Sequence, residues 1–268
     1  MHLHPVDRDT KLRLSDADAA PPKKAPAGDE LDEKTKIAVD QLGELQSVFY
    51  ADARRALLVV LQGRDASGKD GTVRHVFESA NPQGCEVTSF KAPTNIELAH
   101  DYLWRVHQRV PARGMIGIFN RSHYEDVLVV RVHDIVPKAV WSKRYEQIND
   151  FERMLTQNDV VVLKFFLHIS KDEQKHRMID RLTDETKNWK FAAGDLDDRA
   201  LWNKYTHAYR DMLRECSTRY APWHIVPADD KKVRNYLIAK TIVRTLERLK
   251  PRYPAADAAV LKRASKIV

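Results

Sequence analysis

The sequence predicts a three-layer α/β/α fold around a parallel five-stranded sheet, and three observations predict it. Short, almost uninterrupted apolar runs recur along the chain: LLVVLQ at 57–62, MIGIF at 115–119 and VVVLKFFLHI at 160–169. Runs of that kind mark strands buried on both faces, as in a parallel sheet covered by helices. They are separated by stretches with apolar residues at helical spacing, which supply the covering layers. The first run leads directly into Gly63-x-x-x-x-Gly68-Lys69. That is the spacing of a phosphate-binding loop, and a strand before it with a helix after it is the context the motif requires.

From the N-terminus, residues 1–30 contain PPKKAPAGDE and little apolar periodicity. They read as an arm that is either disordered or laid over the surface without packing of its own. Ala38, Leu42, Leu45 and Phe49 recur at three and four, giving an amphipathic helix from Leu31 to about Phe49. Leu57–Gln62 is the first strand, and a helix begins near Lys69. Cys85–Phe90 reads as the second strand, Asn95–Val110 as a helix, Met115–Phe119 as the third strand and Val160–Ile169 as the fourth. Trp223–Val226 is the fifth, with helices over Leu196–Thr218 and Asp230–Leu249 on either side. One domain therefore spans 31–250, with a lid over about 170–200. Residues 251–268, which include Arg252, Lys262, Arg263 and Lys266, read as a solvated basic tail.

The 268 residues are 43% hydrophobic and 31% charged, which places the chain among ordinary globular proteins. It has no run of about 18 uncharged apolar residues and no apolar signal core, so neither a membrane span nor secretion is expected and the cytoplasm is the default location. Cys85 and Cys216 are far apart and without metal spacing, and read as buried thiols. A net charge of +7 favours an acidic partner, be it nucleic acid, an anionic surface or a phosphate polymer, and charge alone does not choose. A nucleic-acid binder interleaves aromatic with basic residues. Here aromatics are only 8% and fall mostly where a core wants them; Trp189 and Tyr205 are the exceptions that offer stacking, with packing the favoured reading of each, so nucleic acid is not the expected partner.

The chemistry is expected at the carboxyl ends of the strands, where ligands collect on open parallel sheets. Gly63, Ala66, Ser67, Gly68, Lys69, Asp70, Gly71 and Thr72 are the candidate phosphate-binding group: backbone N–H groups and the helix N-terminus wrap an oligophosphate, and the lysine adds a point charge. Asp70 stands where a Ser or Thr usually meets magnesium, and Asp65 lies inside the loop. Two carboxylates facing a polyanion repel it unless a divalent metal lies between them, which points to metal-dependent phosphoryl transfer. After the third strand comes Asn120-Arg121-Ser122-His123-Tyr124-Glu125-Asp126. Arg121 is placed to grip phosphate bidentately. Glu125 and Asp126 read equally as charge turned into the site or as first-turn helix residues. After the fourth strand, Arg177 and Arg181 lie four apart on one helix face, with Lys187 and Lys190 following. The segment reads as a cationic lid that excludes water and stabilises a transferring phosphoryl group, against the plainer alternative of a salt-bridged solvated helix.

GRDASGKDG, SFKAPT, FNRSHYEDVL, WKFAAGDLDDRALWNKY and APWHIVPADDKKVRN, in that order, resemble the polyphosphate kinase 2 family over roughly Lys11 to Arg252. The resemblance implies a phosphate-loop kinase fold similar to thymidylate kinase, with a lid. It implies transfer of phosphoryl groups between inorganic polyphosphate and the nucleotides AMP, ADP and ATP, using magnesium with manganese as an alternative. Matched to the family's motifs, Asp65, Lys69 and Asp70 are the catalytic and metal group of the loop, with the metal on the two aspartates, and Arg121 is the strand-end arginine. Arg177 and Arg181 match the lid arginines, with Lys187 beside them, and Lys91 of SFKAPT joins the phosphate- or nucleotide-binding set. Asp195 and Arg199 fall in an Asp-x-x-x-Arg pattern that serves either the site or the holding of the lid. One branch of the family carries Asp-Arg-Ser-x-Tyr-Asn-Arg where this chain has Asn-Arg-Ser-His-Tyr-Glu-Asp. The chain resembles instead the branch that accepts AMP and carries it through ADP to ATP, and Glu125 marks the difference. The family also implies a dimer or tetramer, for which the Leu31–Phe49 helix is a candidate contact surface, although a packed core helix reads the same.

Three rivals stand beside this reading. An ADP-only polyphosphate phosphotransferase and an ATP-dependent nucleoside monophosphate kinase share the fold, and a basic phosphate-polymer or nucleic-acid binder shares the charge. Within the enzyme readings, a covalent phosphohistidine on His75 or His123 is the mechanistic alternative to direct transfer.

Overall fold

The computed structural model describes residues 2–7, 9, 12–191 and 193–264. Lys11, Lys266 and the side chain of Lys190, named above, lie outside the described residues. Five strands, β1 Ala56–Gly63, β2 Cys85–Ser89, β3 Ile116–Asn120, β4 Val160–His168 and β5 Trp223–Pro227, form one sheet in the order β2-β3-β1-β4-β5. Every pairing is parallel. The helices are α1 Gly28–Asp52, α2 Lys69–Val76, α3 Asn95–Leu98, α4 Trp104–His107, α5 Val129–Val132, α6 Lys138–Gln157, α7 Lys171–Thr183, α8 Ala193–Ala200, α9 Trp202–Cys216, α10 Lys231–Leu249 and α11 Ala258–Ala264. No helix among the described residues is long and apolar enough to cross a membrane.

The central strand shows why the apolar runs are unbroken. All eight residues of β1 are buried: Leu57, Val59 and Leu61 pack under α1, α2 and α10 on one face, and Leu58 and Val60 pack under α6 and α9 on the other. Each such side chain contributes about 1.5–3 kcal/mol on burial, so neither face tolerates alternation with polar residues. α1 buries Leu31, Ala38, Val39, Leu42 and Phe49, with Ala38, Val39, Leu42 and Phe49 in the core cluster shared with α10. Its apolar face is therefore committed to the core. Register places Leu61 opposite Asn120 and Gly63 opposite Leu167, so β1 and β4 end nearly level while β3 stops short of them. The phosphate loop sits over the point where the strand order reverses.

Four elements differ from the expectation. The helix over Asn95–Val110 is two short pieces, because the Asp101 carboxylate accepts from the Leu103 N–H (2.9 Å) and competes with a continuous ladder. The helix over Leu196–Thr218 breaks at Leu201, with ψ at 18°, where Trp202 begins α9 and turns into the core. α6 is not anticipated, although Trp141, Tyr145, Ile148, Phe151 and Leu155 recur at three and four. The described residues of the N-terminal arm include a 3-10 turn at Asp16–Ala19, and they pack. Pro5 bridges to His224 in antiparallel fashion, Val6 N–H donates to the Trp223 carbonyl (2.7 Å), and Leu14 and Ala19 are buried. The physical reason is the open edge of β5, whose unpaired backbone groups the arm satisfies.

Candidate active site

β1 delivers the chain into the loop at Gly63, where a Cβ would stand 2.7 Å from both the Leu167 carbonyl oxygen and Ser67 Oγ. Gly68 has φ +96°, and a Cβ there would lie 1.9 Å from Arg234 Nη1, so only glycine fits both the backbone and the neighbour. α2 starts at once with Lys69. Its ammonium is turned back under the loop and donates to the carbonyls of Gly63 (2.7 Å) and Arg64 (3.1 Å). Lys69 is 8% exposed, and burial, reinforced by the charge of Arg121, lowers its pKa to about 8 against the pull of Asp65, Glu125 and Asp70.

Behind the loop stand two buried arginines. Arg177, on α7, donates through Nη1 to the carbonyls of Ala66 and Ser67 and through Nη2 to those of Ala228 and Asp229, while Nε pairs with Glu173. Its guanidinium is thus engaged with the loop's backbone and with the end of β5. Arg234, on α10, donates to the Ser67 carbonyl (3.1 Å) and to Asn235; burial, with repulsion from Arg177, lowers its pKa to about 10. Sequence reasoning missed Arg234. It lies 167 residues beyond Ser67 and carries no local signal beyond its place in the APWHIVPADDKKVRN segment. The two arginines pull loop carbonyls outward, an arrangement that leaves the backbone N–H groups for a ligand.

The cleft above the loop encloses about 730 Å³. It brings together most of the residues the sequence singles out: Asp65, Ala66, Gly68, Lys69, Asp70 and Gly71 of the loop, Lys91 after β2, Arg121 after β3, and Arg177, Arg181 and Lys187 of the lid segment. Lys231, Arg234 and Trp189 join them. Ser67 and Thr72 are buried and shape the loop from beneath rather than lining the cleft. Arg181 Nη1 holds Asp65 at 2.6 Å and has Asp195 at 3.8 Å. Asp70 accepts from Asn120 Nδ2 at 2.6 Å, so the residue in the usual aspartate position of β3 serves instead to orient the loop's second carboxylate. Lys187 pairs with Asp184. Arg199 does not line the cleft and donates to the Lys171 carbonyl and to Gln174 of α7.

Arg121 takes φ +62° as the chain leaves β3, and this left-handed turn throws its side chain over the loop. The turn is fixed from below: Tyr124 OH donates to Glu152 (2.7 Å), and Lys164 Nζ donates to Tyr124 OH (2.6 Å), Glu152 (2.5 Å) and the Cys216 carbonyl (2.8 Å), all fully buried. Glu125 accepts from Gln62 Nε2 at 2.7 Å and faces a second, smaller recess with Arg121, Asp65, Asp198, Trp202, Tyr205 and Tyr209. Asp126 departs from the expectation. It pairs with Arg144 of α6 at 2.8 Å and lines neither recess, because the tight 3-10 turn over His123–Val127 sends it to the opposite side of the segment from Glu125. Burial, partly offset by Arg144, raises the Asp126 pKa to about 6. His123 is buried against Glu152 and His75 stands exposed beside Glu78, so neither faces the cleft as a nucleophile.

Asp65 and Asp70 fit a hard divalent cation. Each commits an oxygen to a nitrogen donor, both line one cleft, and no cluster of three or more His, Cys, Asp or Glu among the described residues offers a closed protein cage. Magnesium is commonly held in this way, by one or two carboxylates and completed by substrate phosphates and water, and manganese shares that taste for oxygen.

The family model described as Polyphosphate kinase 2 matches residues 27–254. The chain is 55% identical over 219 residues to the AMP/ADP-polyphosphate phosphotransferase of Meiothermus ruber, covering 82% of each protein. It is 46% identical over 234 residues to the ADP-polyphosphate phosphotransferase of Rhodopseudomonas palustris, covering 83% of this chain and 81% of that one. In structure it is similar to polyphosphate kinase 2 from Arthrobacter aurescens TC1, with a TM-score of 0.92 and 38% identity over 98% of this chain and 95% of that one.

Proposed function

The chain belongs to the polyphosphate kinase 2 family, and from that premise we propose that it moves the terminal phosphoryl group of inorganic polyphosphate to AMP, giving ADP, and on to ADP, giving ATP. The observation that carries the proposal is the meeting in one cleft of Lys69, Arg121 and Arg181 with the paired carboxylates Asp65 and Asp70 on a phosphate loop. That is a site for an oligophosphate with its metal. A test of the donor follows: AMP is phosphorylated with polyphosphate and not with ATP. Activity with ATP plus AMP and none with polyphosphate would make the protein a nucleoside monophosphate kinase instead.

Transfer is an in-line displacement. An AMP phosphate oxygen bonds to the terminal phosphorus while the bond from that phosphorus to its bridging oxygen breaks, and the shortened chain leaves with the electron pair. The attacking phosphate is already ionised at neutral pH, so no general base is required, and catalysis reduces to positioning and charge stabilisation. Lys69, released from the carbonyls of Gly63 and Arg64, and Arg121 with Arg181 hold the oxygens of the moving group. Arg177 and Arg234 act as positioning residues through the loop's backbone. Asp65 and Asp70 would hold magnesium or manganese, which supplies neutralisation of the oligophosphate charge. The segment from about 170 to 200 serves as the lid, with Arg181 as the group that travels with it.

Two predictions arise here. The first concerns pH. Lys69 loses its proton as pH rises through about 8, so kcat/KM for polyphosphate falls along that limb, while Lys69→Arg, charged throughout, shows no limb there. Stability carries the opposite sign. Between about 8 and the ordinary value of 10.5 the unfolded chain binds more protons at this residue than the folded one, so its contribution to stability rises with pH. A flat wild-type profile between pH 7 and 9 would contradict the assignment. The second concerns the acceptor. AMP brings one phosphate fewer than ADP, and Glu125, beside Arg121, is placed to position it through metal or water. Glu125→Asn is expected to lower kcat/KM for AMP more than for ADP, and equal losses would remove that role.

A further inference from the structure

Trp189 is the large apolar residue with the most exposed surface among those described, at 77%, and it lines the phosphate-binding cleft together with Gly68, Lys69, Asp70 and Phe90. An exposed indole at the rim of a cationic cleft is out of place twice. It forfeits burial of one of the largest apolar side chains, and a polyphosphate chain has nothing to offer it, because the face of the ring carries partial negative charge and repels anions. Nor is it loosely hung. The indole Nε1–H donates to the Thr186 carbonyl at 3.0 Å, and the turn that carries it is tied by Asp184, which accepts from the Thr186 N–H (3.0 Å) and hydroxyl (2.6 Å) and pairs with Lys187. The ring's one polar group is thus committed to its own turn, and the indole stands exposed among the residues that line the cleft.

Building on the proposed reaction, we infer that Trp189 is the base-binding residue for the nucleotide, stacking on the adenine ring when the lid segment meets its substrate. The nucleotide is the one participant with a π face, and base–aromatic stacking depends little on hydrogen-bond pattern. The turn therefore supplies affinity for the nucleoside end while Arg181, on the preceding helix, addresses phosphate. One segment then reads both halves of the acceptor.

The test uses the whole protein. Trp189→Ala is expected to raise KM for AMP roughly tenfold or more and to leave KM for polyphosphate within twofold, and Trp189→Phe, which keeps a ring, to recover most of the loss. Independently of turnover, AMP without polyphosphate is expected to quench the tryptophan fluorescence of the wild type and not that of Trp189→Phe. An unchanged KM for AMP in Trp189→Ala, or a Trp189-dependent quench produced by polyphosphate and not by AMP, overturns the inference while wild-type turnover keeps the transfer reaction standing. Wild-type protein that does not phosphorylate AMP from polyphosphate overturns both.

Discussion

Lys69→Met is expected to lower kcat for polyphosphate-dependent phosphorylation of AMP by roughly a hundredfold to a thousandfold, the loss seen when one preorganised charge stabiliser is removed from a site of this kind. The side chain has no substitute. Arg121 approaches from the end of β3 and Arg181 from the lid, whereas Lys69 alone rises from the first turn of α2 beneath the loop, with its ammonium already held between the Gly63 and Arg64 carbonyls. The same variant separates function from stability. Burial lowers the Lys69 pKa, so the charge is held at a desolvation cost, and an unbranched apolar chain of similar size relieves that cost against the loss of the hydrogen bonds to the Gly63 and Arg64 carbonyls. Tm should therefore hold or rise while turnover collapses. Turnover within tenfold of wild type would show that the lysine does not meet the moving phosphoryl group.

The largest stability effect is expected at the opposite end of the third strand's turn. Lys164→Met strands the Glu152 carboxylate in a fully buried position, and breaking such a pair from one side costs about 3–5 kcal/mol. Burial works against the charge of Glu152, but Lys164 and His123 hold its pKa below the ordinary value, so the carboxylate is ionised and needs its partner. The network joins β4, α6, the segment after β3 and the end of α9; its loss also loosens the turn that aims Arg121. Urea unfolding measures the cost. Pairing Lys164→Met with Glu152→Leu should restore most of the stability, since an apolar replacement of both partners is often neutral, and a single-variant loss below about 1 kcal/mol would contradict the account.

The two effects differ in how visible they are in the sequence. The strands of the sheet announce themselves because burial on both faces forces their composition, and the loop does so because glycine at Gly63 and Gly68 answers steric demands that no other residue meets. What escapes is pairing at long range. Arg177 and Arg181 share a helix face, as their spacing says, yet Arg177 is spent on four carbonyls and Arg181 stands in the cleft. That difference is one of depth, set by how α7 leans on the loop. Asp126 is adjacent to Glu125 in sequence and opposite to it in space, since the turn between β3 and α5 has a shorter repeat than the α-helix the pattern suggests. Arg234 and Lys164 work through partners in distant elements. Trp189 offers packing or stacking by type, with packing favoured, and its exposed place at the rim of the site is what the fold adds.

The most direct test of the central claim is a time course of the purified protein with polyphosphate, magnesium and AMP, with no ATP added and the nucleotides separated at each point. ADP is expected first and ATP later, as the cleft that phosphorylates AMP accepts its own product. Phosphorylation of ADP without that of AMP would contradict the acceptor assignment carried by Glu125, and no phosphorylation of either would contradict the claim that this cleft transfers phosphoryl groups from polyphosphate.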